Sequence, residues 1–411
     1  MKRIFLFAIS ICFCFNLFAQ RRNIEEIDYR RNSVYSILIN HTEQDWGSYI
    51  ADVFIDMPLP EKYNDHDLSV KIITVDERTP AKEKGQDFLE NNHVASHLVA
   101  RWFNRNPLTG ECNMELVKER GLYSASEFDR ILASHSVRGK ALLEDAGEDL
   151  LANTFVIVND IRYVDKEKAG KIVGAIFSVL GAVAGGVAGG YTGNTDLGNN
   201  VAQLGESMNQ MMQTLKGFNV KVNTHLYRLV WDDATAATFY ETMYSEQPDA
   251  QKKAAFEANR GLFKLEYVGS QLSSGRDVSF LGVNLDTPDE MIRKACVRAI
   301  DENVANLARN FEPFKVKVKL TSASPIQAPV GKKEEITEKT RFEVLEPVVK
   351  DDRTTYRRVA VIQPVKGMIW DNRYMAEEEG AAGATLNYTT FKKVSGGEIL
   401  PGMLIREIGK K

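Results

Sequence analysis

The sequence holds little of what usually announces chemistry. Its 411 residues include only four cysteines, six histidines and four tryptophans. Cys12 and Cys14 fall within residues 1–20, which leaves Cys112 and Cys296 for the rest of the chain. At most one disulfide can then form there, so a framework stapled by several bridges is excluded. Cys296 falls on the apolar stripe of an expected helix, which favours a buried free thiol. No Cys-x-x-Cys pairs offer a structural zinc site. No G-x-S-x-G sets a serine on a nucleophile elbow. No phosphate loop is present: Gly170-Lys171 is followed by Ile172, which has no hydroxyl for magnesium. No G-x-G-x-x-G follows a strand, and no cofactor is expected. Basic charge is also scarce. The 52 Lys and Arg residues face 56 Asp and Glu, giving a net charge of −4, and no long basic run offsets it. Nucleic acid is therefore not an expected partner.

What is present is ordinary globular composition, with 44 % apolar and 26 % charged residues. The length suits two to three domains with real cores. Residues 1–20 read as a separate unit. Lys2 and Arg3 precede an apolar run from Ile4 to Phe18, and Ala19-Gln20 is followed by an abrupt polar switch at Arg21-Arg22. That pattern predicts a secretory signal peptide, with the protein exported to the periplasm, the outer membrane or the cell surface. Lipidation at Cys12 is disfavoured, because Ile11 is not the small residue that such processing needs.

Periodicity predicts the elements. Ser33–Leu38 and Tyr49–Ile55 read as strands. A helix follows through Phe103, with Ala95, Leu98, Val99 and Trp102 on its inner face. Further helices are predicted over 124–135 and 139–151. The β-branched run Thr154–Val164 predicts a buried strand. A second begins at Phe218, with Phe218, Val220, Val222 and Leu226 on one face. Ala234–Tyr244 and Ala250–Arg260 predict helices, and a strand follows. Thr287-Pro288 is a strong start signal for a helix whose stripe is Ile292, Cys296, Ile300, Val304, Leu307 and Phe311. KVKVKL (315–320) reads as an antiparallel strand with a solvated lysine row. Residues 321–339, with small residues, prolines and a charge run, read as a linker. Short strands over 340–411, GMIWD among them, predict a small all-β barrel or meander. The expected fold is α+β: a mixed larger domain over 21–320, with 165–217 inserted between two strands as a Gly-rich helical hairpin, and a C-terminal β module.

Three sets of residues are candidate sites. Gly181, Gly185, Gly189 and Gly193 recur every fourth position in a stretch where, from Gly170 to Tyr191, only Lys171 is charged. As a helix this stretch presents a groove that another helix can approach closely, and it is long enough for a bilayer core of about 30 Å. It resembles the glycine-zipper segments of bacterial envelope proteins. That resemblance implies self-association or membrane contact through 170–191. Against a simple span, the lysines precede the stretch, where a stop-transfer segment would carry them after it. His93 and His97 lie one helical turn apart and can share a metal, with Asp65 or Asp67 as further ligands. Val94 stands where a zincin carries its general base, and both rings fall on the polar face. Trp370, Asn372, Arg373 and Tyr374 cluster in the β module, where aromatic and polar groups suit a glycan or peptide. The reading these features favour is a non-enzymatic envelope protein acting in assembly, adhesion or binding of an envelope protein or glycan, with homo-oligomers possible through the glycine segment. The rivals are a metal-dependent or carboxylate-based hydrolase and a carbohydrate-binding protein.

Overall fold

The structure, a computed structural model, describes residues 24–25, 32–41, 43–60, 63–75, 80–124, 150–169, 216–279, 286–314, 317–350, 353–373, 376–377 and 380–408. A short strand, β1 (Ile24–Glu25), belongs to a sheet completed much later in the chain. The first sheet takes β2 (Ser33–His41), β3 (Asn64–Asp65), β4 (Ile72–Val75), β5 (Thr154–Asp165), β6 (Lys216–Val230) and β7 (Lys264–Ser279). The order is β3-β2-β5-β6-β7, with β4 beside β3 on the same edge of β2. β2 runs parallel to β3, β4 and β5, while β6 and β7 are antiparallel to their neighbours. The described helices are α1 (Gly47–Asp56), α2 (Ala81–Asn91), α3 (Val94–Trp102), α4 (Glu115–Ser124), α5 (Asp233–Thr242), α6 (Ala250–Ala258) and α7 (Pro288–Asn310).

Strand periodicity sorts the core into two layers. Val34 and Leu38 of β2, with Phe155 and Ile157 of β5, pack under α1 and α7. Tyr35, Ile37 and Ile39, with Val156 and Val158, pack under the other helices, against Leu98, Val99, Trp102 and Phe239. Both faces are covered, which is why these strands read as nearly unbroken apolar runs. Cys112 and Cys296 are free and buried in the two different layers, so the sheet itself separates them.

The second sheet contains β8 (Val318–Lys319), β9 (Ser322–Ala323), β10 (Ile326–Ala328), β11 (Phe342–Lys350), β12 (Arg353–Pro364), β13 (Thr389–Gly396) and β14 (Leu404–Glu407). It is a curled, wholly antiparallel sheet in the order β8-β14-β11-β12-β13-β10-β9, with β1 added to β12. Its core is built from Val330, Phe342, Val344, Ile362, Phe391 and Ile405. The chain is α+β, with this sheet near its C-terminus.

Several expectations need correction. Residues 49–55 form α1 and not a strand: Ile50, Val53 and Phe54 are buried while Asp52 and Ile55 are exposed, a helical period that β-rich composition masked. The helix through Phe103 is two helices, broken where His93 adopts φ 48°. Its inner face is as expected, with Ala95, Leu98, Val99 and Trp102 buried. Residues 321–339 are not a linker. They supply β9, β10 and a 3-10 turn at Lys332–Glu334, and they bury Ala328, Val330 and Ile336. GMIWD is not a strand but a loop with a single bridge from Trp370 to Gly331. In the described part of KVKVKL, residues 317–320, the strand is Val318–Lys319.

Other readings match. α7 starts at a capping box between Thr287 and Glu290 with Pro288 in its first turn. β5 and β6 pair residue by residue up to Asp165 opposite Phe218, so the chain between them leaves from one end of a paired ladder. The glycine segment and most of 124–149 lie outside the described residues. No described helix is long and apolar enough to cross a membrane.

Candidate functional site

The second sheet meets the first through side chains, and a cavity lies at that seam. Arg309, in the last turn of α7, donates to the carbonyls of Glu334 (2.9 Å) and Glu335 (3.1 Å). Lys333, 6 % exposed, reaches across to donate to the carbonyl of Pro58 at 3.1 Å, just beyond α1. Lys333, the residues ending α1, the middle of α7 and the sheet face together enclose about 120 Å³. The floor is polar. Asn159 of β5 donates to Ser36 Oγ (3.1 Å) and to the Ile37 carbonyl (3.2 Å), and Thr224 donates to Asn159 Oδ1 (2.8 Å). β3 pairs only with Ser33–Val34 and β4 only with Leu38–His41, so Asp65, Asp67 and Lys71 line the gap between the two pairings.

Asp301 of α7 is the distinctive wall residue. It is 5 % exposed, its Oδ1 lies 3.9 Å from Lys333 Nζ, and its Oδ2 has no hydrogen-bond partner. Burial pushes its carboxyl up to about 7, and the nearby Lys333 ammonium offsets only part of that. Burial also raises the pKa of Asp65. A carboxyl poised near neutrality beside a buried ammonium can accept a hydrogen bond, hold a cation or exchange a proton. Pockets for drug-sized ligands run to about 300–1,000 Å³, so this space suits a head group and not a whole molecule of that size. Asp301 was legible in principle: it is an acid next to Ile300 on the inward side of an amphipathic helix. Lys333 was not, because it sat in the stretch read as a linker.

Of the two candidate metal-ligating histidines, only His97 shares a hollow with a candidate acid, Asp67. His93 and His97 are both exposed. His97 lines an open hollow with Asp67 and Arg101, while His93 lines a different cavity. His66 is buried and stacked on Trp102 at 5.1 Å, with Nε2 3.2 Å from the Leu98 carbonyl and Nδ1 2.7 Å from an Arg120 guanidinium nitrogen. Burial first, then Arg120, lowers its pKa to about 3, so the ring is neutral. Among the described residues, no three His, Cys, Asp or Glu side chains are grouped to hold a metal ion.

Trp370 is half-buried and its main chain is engaged: its N–H donates to Thr389 Oγ1 (3.0 Å) and its carbonyl accepts from Lys332 (2.9 Å). Arg373 forks onto Asp371 with two 2.8 Å bonds, and Asn372 donates to Glu334 at 2.9 Å. Trp370 and Asn372 brace the turn that presents Lys333, and Arg373 shares with that turn the carboxylate of Asp371, which also accepts from Lys332 Nζ at 2.9 Å. Tyr374 and the four zipper glycines lie outside the described residues.

Parallel sheets often bind ligands at the carboxyl ends of their strands. At that end of β2 and β5, His41 is 1 % exposed and both its ring nitrogens are engaged. Nε2 meets Asp160 at 2.5 Å, and Nδ1 lies 3.3 Å from Arg162 and 3.5 Å from Glu43. That network is closed on itself. The chain matches no known family model and no curated protein.

Proposed function

We propose that this chain is an exported, non-enzymatic binding component of the bacterial cell envelope, and that its seam cavity receives a cationic or hydrogen-bond-donating group of the molecule it binds. The observation that carries the reading is Asp301, a buried carboxylate with an oxygen left without a partner at the wall of a cavity. A buried acceptor without a partner costs about 1–3 kcal/mol, which a donor on a ligand would recover. The charge balance agrees: Asp56, Asp65, Asp67 and Asp301 line the cavity against Lys71 and Lys333. Export rests on residues 1–20. Association with other envelope molecules rests further on the glycine-zipper resemblance of 170–193.

The test uses the chain purified from the envelope fraction. Thermal shift and calorimetry with ethanolamine and 1,4-diaminobutane should show saturable stabilisation that Asp301→Asn abolishes. Identical shifts for wild type and variant would overturn the site assignment. Mass spectrometry should find the native N-terminus near Arg21. A purely cytoplasmic chain retaining Met1 would overturn export.

A further inference from the structure

We propose that a second cavity, on the opposite face of the first sheet from the seam, binds a small aromatic or aliphatic carboxylate. It encloses about 390 Å³ between the end of α2, the start of α3 and the first residues of β7. That is within the range of small-molecule pockets, about 300–1,000 Å³. Its walls are apolar, from Leu89, Ala95, Phe263 and Leu265, and its aromatic side is Tyr227 and Tyr267.

Tyr227 is the built feature. It is 3 % exposed, it lines the cavity, and its hydroxyl has no hydrogen-bond partner. An apolar wall around one unsatisfied hydroxyl is the composition expected of a specific small-ligand site, in which a few placed polar groups fix orientation. Burial first, and then the neighbouring Tyr267 and Glu90, raise its pKa to about 12, so the group stays protonated and can donate. The backbone places it there by irregularity. The β6–β7 ladder pairs Leu226 with Gly269 but Tyr227 with Tyr267, a bulge that skips Val268. Bulges re-aim side chains, and here two tyrosine rings end 5.3 Å apart at 61°.

The mouth sets the charge. Arg260, paired with Glu257, and the exposed Lys264 line it together with one acid, Glu90. Glu90 already accepts a 2.8 Å bond from Gln86. Arg260 is held in place by Glu257 through its Nε at 2.8 Å, and Lys264 is exposed at the rim. His93, also at the mouth, adds a ring that can donate. An apolar body in the pocket, an acceptor oxygen on Tyr227 and an anionic end toward Lys264 and Arg260 satisfy every group named.

Calorimetry on the full chain would use 4-methoxyphenylacetate and 6-oxoheptanoate, each an apolar body with an acceptor oxygen at the end opposite its carboxylate, with 2-(4-methoxyphenyl)ethanol as the neutral control. At least one carboxylate should bind saturably, and the alcohol should bind at least about tenfold more weakly, the size of one charge-assisted contact. Tyr227→Phe and the surface variant Lys264→Glu should each weaken binding about five- to tenfold while Asp301→Asn leaves it unchanged, which separates this site from the seam. If Tyr227→Phe fails to fold, Lys264→Glu decides. No binding by the wild type at millimolar concentrations, equal binding of the alcohol, or indifference to Lys264→Glu would each overturn the proposal.

Discussion

Asp301 and Lys333 illustrate what a single buried pair costs. The Asp301 carboxyl titrates near 7 when folded, against an ordinary 3.8, so the folded state holds an extra proton between those values. Stability therefore falls as pH rises through that window, by at most about 4 kcal/mol for a shift of this size. Asp301→Asn removes the titration. Urea unfolding at pH 4 and pH 8 should show the variant gaining on the wild type as pH rises, and parallel profiles would contradict the shift. Lys333→Ala strands the carboxylate beside an unsatisfied Pro58 carbonyl, and removing one partner of a buried pair costs about 3–5 kcal/mol. In an Asp301→Asn background the same change should cost clearly less, so the double-mutant cycle reads the pair directly. Sequence reasoning found neither residue, because a buried charge is defined by neighbours far along the chain, here from 58 to 333. It did find residues whose roles are local. His93 and His97 fall on the exposed side, as the helical wheel requires, and of the two candidate acids Asp67 lines a hollow with His97 while Asp65 lines the seam cavity.

Elements were legible wherever local signals and tertiary packing agree. α7 is the clearest case: capping residue, proline and apolar stripe all lie within the segment itself. Thr287→Ala should cost about 1 kcal/mol in urea unfolding, since it removes the bond to the Glu290 amide. β7 packs against the same helix through Gly275, where an added Cβ would sit 2.0 Å from the Ala295 carbonyl oxygen and 2.6 Å from the Ala299 nitrogen. Those are backbone atoms that cannot step aside. Gly275→Ala should destabilise by about 1–3 kcal/mol or more, with the loss visible in the thermal midpoint. α1 was misread for an equally local reason: Tyr49, Ile50, Val53, Phe54 and Ile55 are residues strands favour, and propensity outvoted the helical period. The residues 321–339 were misread on composition, because small and charged residues suit a linker as well as tight turns at a sheet edge.

At the scale of the molecule, the two sheets are tied together through α7 and the residues beyond α1. Arg309 holds the turn at Lys332–Glu334 and reaches Glu407 of β14 at 3.6 Å, and Lys333 enters the first layer to meet the Pro58 carbonyl. Such sharing predicts cooperative unfolding. Calorimetry should give one transition whose van't Hoff and calorimetric enthalpies agree, and two resolved transitions would show that the halves are energetically independent. The expected division, a domain to 320, a linker over 321–339 and a β module from 340, catches the all-β character of the C-terminal sheet but leaves β8, β9 and β10 outside it. Hydropathy patterns report which faces are apolar, not which faces meet.

The ladder of β5 and β6, matched up to Asp165 and Phe218, also works as a mounting flange. Its two closing residues fix where the intervening chain departs and returns, whatever that chain's length or composition. The exit and the re-entry of the chain are thereby set side by side by the strands themselves, as a doorframe sets its two posts.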